Sequence, residues 1–577
     1  MASACDLDWV PDSLYNTAVS VVVSHFRAFK SELRLFPDNV QFDIYYQLYN
    51  KGMLVELGQE FSCLEIFARV LKVHDKRNLL HHCFQALMKH RVSFHLATAY
   101  SQHCCTVHAS SCTKRIQQAI QLGFNLGGFL SDAGWFPDAE VVLKACLQLC
   151  KQASSTQALL HALECCVRLL HVRNANCQYG DAEKSWVEAQ EYVQELTNQG
   201  HKVNRATLLS EYCALLFAKS QYDMAYRACC TALNEINPSL PPRVIVDVFR
   251  QCAKACVVKR EFQRAELLIK FAVQCARDHF GGRHHIYADA LLDYGFYLLN
   301  VDAVCQAVQV YQAALDIRTA VFGQNNLHVA IAHEDLAYSS YVFEYSSGEF
   351  QHALEHAERA IEIITCILPE DHLLLASSKR VKALILEEIA IDSPDEASKR
   401  LLSEAQDLHL TSLSLAQKAF GENNVQTAKH YGNLGRLYQS MGKFELAETM
   451  HLKAIAVKEK LLGPDDYEVA LSIGHLASLY NYDMEKYGDA EKLYLRSIAI
   501  GRKLFGPGYS GLEYDYRGLL RLYSAVGNSD KNLEYYQVLN DWYDIRDRNK
   551  DKDKKPLEFD HSDNCQSILG VFFKLPS

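Results

Sequence analysis

The chain reads as an all-α solenoid of stacked helical hairpins, and three features of the sequence predict it. The first is a repeated spacing. An aromatic or aliphatic residue, two variable residues and then Ala recur at Phe136/Ala139, Tyr179/Ala182, Tyr222/Ala225, Phe262/Ala265, Val304/Ala307, Phe350/Ala353, Leu402/Ala405, Phe444/Ala447 and Tyr487/Ala490, with a degenerate Asp530/Leu533. The spacing centres on 43 residues and ranges from 40 to 52. A period of this kind marks hairpins whose apolar face only the next hairpin can cover. The second is punctuation: Gly421, Gly463 and Gly506 each end a helix, two of them followed by Pro, and Gly281 and Gly323 hold equivalent places. The third is size. At 577 residues and 49% apolar content the chain is too long for one compact core but can sustain a continuous one. Such arrays bind peptides or proteins and rarely catalyse.

The formal charge is −10, from 59 basic and 69 acidic residues, with no basic block outside the C-terminal region. Nucleic acid is therefore not expected as the main partner, and basic ligands are mildly favoured. No run of eighteen apolar residues occurs, and Met-Ala-Ser-Ala-Cys-Asp lacks the cationic start of a signal peptide, so a soluble intracellular protein is expected. The 20 cysteines are scattered through helical segments. Cys146, Cys150, Cys165, Cys166, Cys213, Cys229 and Cys256 fall at apolar positions, where they serve as small buried hydrophobes.

In chain order, Pro11-Asp12-Ser13 signals a helix carrying Leu14, Ala18 and Val22 on one stripe. Phe36-Pro37-Asp38-Asn39 starts a second, with Val40, Ile44 and Leu48 at the same spacing. These two occupy residues 1–50, and a helical capping region is expected over 51–115. About ten repeats follow over 116–545. Within them the A helices carry Leu434 and Leu437-Tyr438, then Leu476 and Leu479-Tyr480, then Leu519 and Leu522-Tyr523. The segment 389–398, acidic and containing Pro394, reads as a lengthened loop between helices. The mixed-charge run Arg-Asn-Lys-Asp-Lys-Asp-Lys-Lys-Pro predicts a disordered tail over 546–577.

The repeats resemble the tetratricopeptide repeat in the 42-residue form of kinesin light chains, which implies a right-handed solenoid. Ser13-Leu14-x-x-x-Ala18-x-x-x-Val22 resembles an elongin-BC box, with Ala18 where Cys is usual. There Leu14 would be the deep anchor of a helix laid in a groove. Alone, this stripe also describes an ordinary capping helix. Phe36-Pro37-x-x-Val40-x-x-x-Ile44, beginning fourteen residues after Val22, resembles a cullin-2 box, and the two boxes in this order separate the readings. Longer stretches carry a closer resemblance. Leu79-Leu80-His81-His82-Cys83-Phe84, Ala332-His333-Glu334-Asp335-Leu336-Ala337-Tyr338 and Lys429-His430-Tyr431-Gly432-Asn433-Leu434 are similar to the amyloid protein-binding protein 2 family.

That resemblance implies the non-catalytic substrate receptor of a cullin-2 RING ubiquitin ligase. Its partners would be elongin B, elongin C and cullin-2, and its repeats would bind C-terminal-region degrons of Arg-x-x-Gly type. It also implies a cytoplasmic protein with nuclear and microtubule- or membrane-associated pools. A motor-cargo or sorting adaptor binding the tail of amyloid precursor protein is the alternative, and it would need neither box. In this repeat class the position twelve residues after the turn faces the groove, giving Asp293, Asp335, Arg380, Asn433 and His475. Asp293 and Asp335 would clamp the degron Arg bidentately. Asn433 would hold the peptide backbone. Tyr294, Tyr338 and Tyr431 would wall the space beside the degron Gly.

His103, Cys104, Cys105, His108 and Cys112 are zinc-ligand types at close spacing, but an adjacent His-Cys-Cys run suits a tetrahedron poorly. No metal or cofactor is expected. No Gly-x-Ser-x-Gly elbow, His-Glu-x-x-His or phosphate-cradling glycine loop is present.

Overall fold

The computed structural model describes residues 13–110, 113–152, 155–345, 347–549 and 564–575. Among these residues it is built of helices without a strand. Two compact units divide the chain. One comprises Met1–Asn176, Lys184–Lys202 and Val321–Gln324; the other comprises Cys177–Glu183, Val203–Ala320 and Asn325–Ser577.

The period in the sequence is the period of the helix pairs. Ten pairs follow one another among the described residues, from Thr113–Asp132 with Phe136–Cys150 to Leu512–Ala525 with Ser529–Asn549. Phe136, Tyr179, Tyr222, Phe262, Val304, Phe444 and Tyr487 are each the first residue of a B helix. The reason for the alanine three residues later is visible in its burial. All nine, from Ala139 to Ala490, have 0% exposure, whereas Leu533 of the degenerate last repeat is exposed. A methyl group is all that the approach of helix A to helix B admits. Gly281, Gly421, Gly463 and Gly506 cap their helices at φ of 77 to 89°, a backbone region that only glycine enters freely.

In the second unit, helices from Ala206–Ala218 to His285–Asn300, and again from Leu327–Glu344 to Ser529–Asn549, each pack on the one before and the one after. The segment 389–398 is not a long loop. Only residues 392–394 separate Leu374–Ile391 from Asp395–Phe420, and the additional residues lengthen the second helix to 26. Pro394 sits just before its first turn and Asp395 and Glu396 within it, where acidic groups favour the helix dipole.

Part of the expected disordered tail is also ordered. Cys565–Phe572 is a helix that packs on Phe262–Phe280 through buried Ile568, Leu569 and Phe572. Arg264 lies 5.3 Å from the Phe572 ring and donates to the Leu575 carbonyl at 2.6 Å. The charge pattern of the preceding run says nothing about the apolar Ile-Leu-Gly-Val-Phe-Phe after it, and that stripe finds a partner. The mixed-charge run from Lys550 lies outside the described residues.

In the first unit, the Leu14–Ser24 helix packs on Asp38–Asn50 through Val19 and Val23, continued by Phe26. Beneath them the rings of Tyr45, Phe61, Phe67, Phe84 and Phe129 meet at centroid distances of 5.1 to 5.5 Å.

Candidate functional site

Two regions carry candidate binding residues, one in each unit. In the first unit Ser13 caps its helix by accepting from the Asn16 N–H at 3.1 Å. Because Val19, Val23 and Phe26 take the inward face, Leu14, Ala18 and Val21 point outward, and Leu14 is 87% exposed. Val22 lies between the faces, half-buried. The connection to the next helix is pinned. Gln41 donates to the carbonyls of Leu33 and Phe36 at 2.6 and 3.2 Å. Arg69 donates to the Asp38 carboxylate and the Phe36 carbonyl at 2.6 and 2.7 Å, and Lys51 reaches back to the Ser20 and Ser24 hydroxyls. The two stripes are therefore held in one arrangement.

On the second stripe Pro37 is exposed and Val40 half-buried, but Ile44 is 2% exposed and belongs to the protein's own core. It is not available as a contact residue. An i, i+4 spacing marks a stripe without saying which side of the helix the neighbours cover. Leu35, 85% exposed, and Phe36 are the outward apolar groups that complete this surface.

In the second unit, the positions twelve residues after each turn do not all behave alike. Asp293 is buried and already paired, accepting from Arg250 at 2.8 Å with Lys254 at 3.4 Å. It cannot clamp a ligand guanidinium without giving these up. Around it Arg250 also meets Asp247 at 3.1 Å, and Arg318 meets Asp289 at 2.7 Å. Three cations thus share three carboxylates. Asp335 is the fourth acid of the group, half-buried and, among the described residues, without an ion pair or hydrogen bond. Burial first, then the Glu334 and Asp293 carboxylates, lift its carboxyl to about 7, against the pull of Arg318 and Lys254.

One turn further along the Asp335 helix, Tyr338 lines a cavity of about 510 Å³. Arg380, Asn433 and His475 line it too, from the A helices of three successive repeats. Tyr294 and Tyr431 do not wall it: they are 3% and 2% exposed, and the Tyr431 hydroxyl accepts from Gln417 at 3.0 Å. Lys429, Arg436 and Lys458 are the lysine and arginine residues of the cavity that the register count passed over. Lys429 was within reach of it, since it stands one turn before Asn433 on the same helix face. Lys458 comes from a B helix, where no such count applies.

The acid on this wall is Glu468, which meets Lys429 at 2.9 Å and Lys458 at 3.1 Å. Burial alone would raise its carboxyl, but the two ammonium groups outweigh burial and hold it well below the usual carboxylate range. Arg436 turns to Glu388 at 2.7 Å and Glu387 at 3.6 Å. Burial, with Arg380 and Lys429 adding repulsion, lowers His430 to about 3, and burial also keeps His475 neutral.

Among the described residues, Cys146, Cys150 and Cys165 bring three buried thiols within 4.8 Å of one another, a group that could hold a soft metal ion. They are not the cysteines of the zinc-like run. There Cys104 is buried near Tyr100 while His103 and Cys105 are exposed; the His108 side chain and Cys112 lie outside the described residues. No helix among the described residues is long and apolar enough to cross a membrane.

Repeated hairpins packed through alanine, with a ligand-sized cavity lined from four successive A helices, define a protein-binding adaptor of the tetratricopeptide-repeat class. Models of the tetratricopeptide repeat match residues 397–460 and 469–508. Amyloid protein-binding protein 2 of Mus musculus is 64% identical over 549 residues, covering 95% of this chain and 94% of its own, and its Rattus norvegicus counterpart matches equally. The chain belongs to the amyloid protein-binding protein 2 family. Among solved structures it is similar to the apo quorum sensor NprR from B. thuringiensis (TM-score 0.43, 14% identity, 66% of this chain and 98% of that one). A Rap protein complexed with competence and sporulation factor is similar to it with TM-score 0.40 and 14% identity, over 61% and 99% of the two chains.

Proposed function

We propose that this protein is the substrate-recognition subunit of a cullin-2 RING ubiquitin ligase. The N-terminal pair of helices would recruit elongins B and C and cullin-2, and the repeats would bind Arg-x-x-Gly degrons. The observation that carries this function is the outward Leu14, an apolar anchor on a capped helix whose opposite face supplies all its internal packing. Ala18 and Val21 beside it leave the flat, small-residue approach that docking into an apolar groove needs. In the repeats Asp335 takes the degron Arg, because it is the carboxylate left uncompensated where Asp293 is already engaged. Catalysis in such an assembly belongs to its partners.

The test is affinity purification with mass spectrometry. Elongins B and C and cullin-2 should accompany the wild-type chain and be lost from Leu14→Asp. The relatives' name favours a second function, an adaptor that binds amyloid protein. Recovery of amyloid precursor protein with no elongin from the wild-type chain would favour that one.

A further inference from the structure

We infer that Cys146, Cys150 and Cys165 form a three-sulfur site for a soft monovalent metal ion, Cu(I), in the first unit. In the sequence these cysteines read as small buried hydrophobes. The structure adds that their three sulfurs lie within 4.8 Å of one another. Cys146 and Cys150 are four residues apart on Phe136–Cys150, so they share one face of that helix. Cys165 meets them from Thr156–Ala175, the helix packed against it. Among the described residues, no other three metal-ligating side chains gather so closely.

Packing alone does not call for this arrangement. The other buried side chains of the two helices are mostly Leu, Val and Ala. Room for the sulfur is also reserved from a third helix. A Cβ on Gly123, in Thr113–Asp132, would stand 2.9 Å from the Cys146 Sγ and 2.1 Å from the Tyr100 hydroxyl oxygen, so even a methyl group there would displace them. The Cys146 thiol donates to the Ile120 carbonyl at 3.7 Å, a weak bond that a metal–sulfur bond replaces.

The size and chemistry of the trio select the ion. Metal–thiolate bonds are about 2.3 Å long, as for zinc. Three sulfurs arranged trigonally around one ion then stand about 4 Å apart, within the spread of this group. Structural zinc takes four ligands. The trio is at most 2% exposed, which leaves no place for a water to complete a tetrahedron, and Cys104 and Cys166 stand nearby but outside the group. Thiolate is a soft donor that suits Cu(I), an ion satisfied by three sulfurs. Each thiol that coordinates as thiolate gives its proton to solvent. Cys150 is the last residue of its helix, and Lys151 and Gln152 beyond it are exposed, so fraying of that end gives the ion a way in. Once bound, the ion ties the second helix of the first repeat to the first helix of the next.

The test is anaerobic titration of the reduced full chain with Cu(I) buffered by bathocuproine disulfonate, a chromophoric chelator. Wild type should take Cu(I) from the chelator and, loaded with one equivalent, melt at a higher temperature. X-ray absorption of that form should show three sulfur neighbours, and an equal concentration of Zn(II) should not displace the copper. Cys150→Ala and Cys165→Ala should each bind one Cu(I) fewer and lose the rise in melting temperature. Cys252→Ala, an equally buried cysteine in the second unit, should keep both. The wild-type uptake and coordination number judge the site even if a variant fails to fold. The inference is overturned if wild type leaves Cu(I) with the chelator, if the bound ion has fewer than three sulfur neighbours, or if Zn(II) displaces it. It is equally overturned if folded Cys165→Ala binds as much Cu(I) as wild type, or if Cys252→Ala loses as much as the trio variants.

Discussion

Binding of an Arg-x-x-Gly peptide should strengthen as pH rises through neutrality, because the group that receives the Arg titrates there. Asp335 has its carboxyl lifted to about 7 by burial and by Glu334 and Asp293. A guanidinium pairs only with the ionised form. Near pH 6 about a tenth of the carboxyl is ionised, and near pH 8 about nine-tenths, so affinity should rise by about tenfold between them. The neighbouring histidines cannot mimic this. Burial first, then repulsion from a neighbouring histidine (His356 for His333, His352 for His356), lowers His333 and His356 to about 4, and His430 sits at about 3, so these three stay neutral across the window. The assay is fluorescence polarisation of a labelled peptide on wild type and on Asp335→Asn, which should bind weakly and with a flat profile. A wild-type profile flat between those pH values, or an Asp335→Asn profile as steep as the wild type, would refute the assignment of Asp335 as the Arg receptor.

The same carboxyl bears on stability. Its folded value is raised above that of the unfolded chain, so its contribution is fully present near pH 4 and lost as pH rises through about 7. Asp335→Asn should therefore melt above wild type at alkaline pH and close to it near pH 4, measured by differential scanning fluorimetry. Leu14→Asp should lose the elongins and cullin-2 together without changing the melting temperature. Burying that side chain in a partner groove is worth roughly 1.5–3 kcal/mol, about 10- to 150-fold in affinity, while its exposed position contributes nothing to the fold. Mutating Pro37 and Val40 should lose cullin-2 and spare the elongins; joint loss would move the boundary between the two surfaces. Exchanging the degron Arg for Lys should weaken binding, since an ammonium does not match the bidentate geometry. Elemental analysis after dialysis should find zinc well below one per chain; one equivalent lost on Cys105→Ser would reverse that expectation.

The repeat architecture was legible because it is local and periodic. The anchor residues that open B helices, and the alanines packed against A helices, recur in the sequence at the interval of the fold itself. Register carried equally well to Arg380, Asn433 and His475, which share one cavity. Pairing across repeats was not legible. Nothing in the sequence near Asp293 announces that Arg250, 43 residues earlier, takes its charge. Nor does the spacing that marks Ile44 reveal that the aromatic core behind it has claimed that side of the helix. The C-terminal helix was hidden by its neighbour, because composition averaged over 546–577 is dominated by the charged run.

The alanines have a consequence for how this protein can fail. A methyl group sets the separation of A and B helices in nine of the ten hairpins, so a larger side chain at Ala405 or Ala447 must wedge a hairpin open, at about 1–3 kcal/mol. Local instability is the smaller part of the damage. The polar cavity is assembled from several consecutive hairpins, and a displaced hairpin carries its share of the wall with it. Loss-of-binding variants should therefore accumulate at positions that never touch a ligand, and a map of damaging substitutions would trace the spine of the stack as clearly as its pocket.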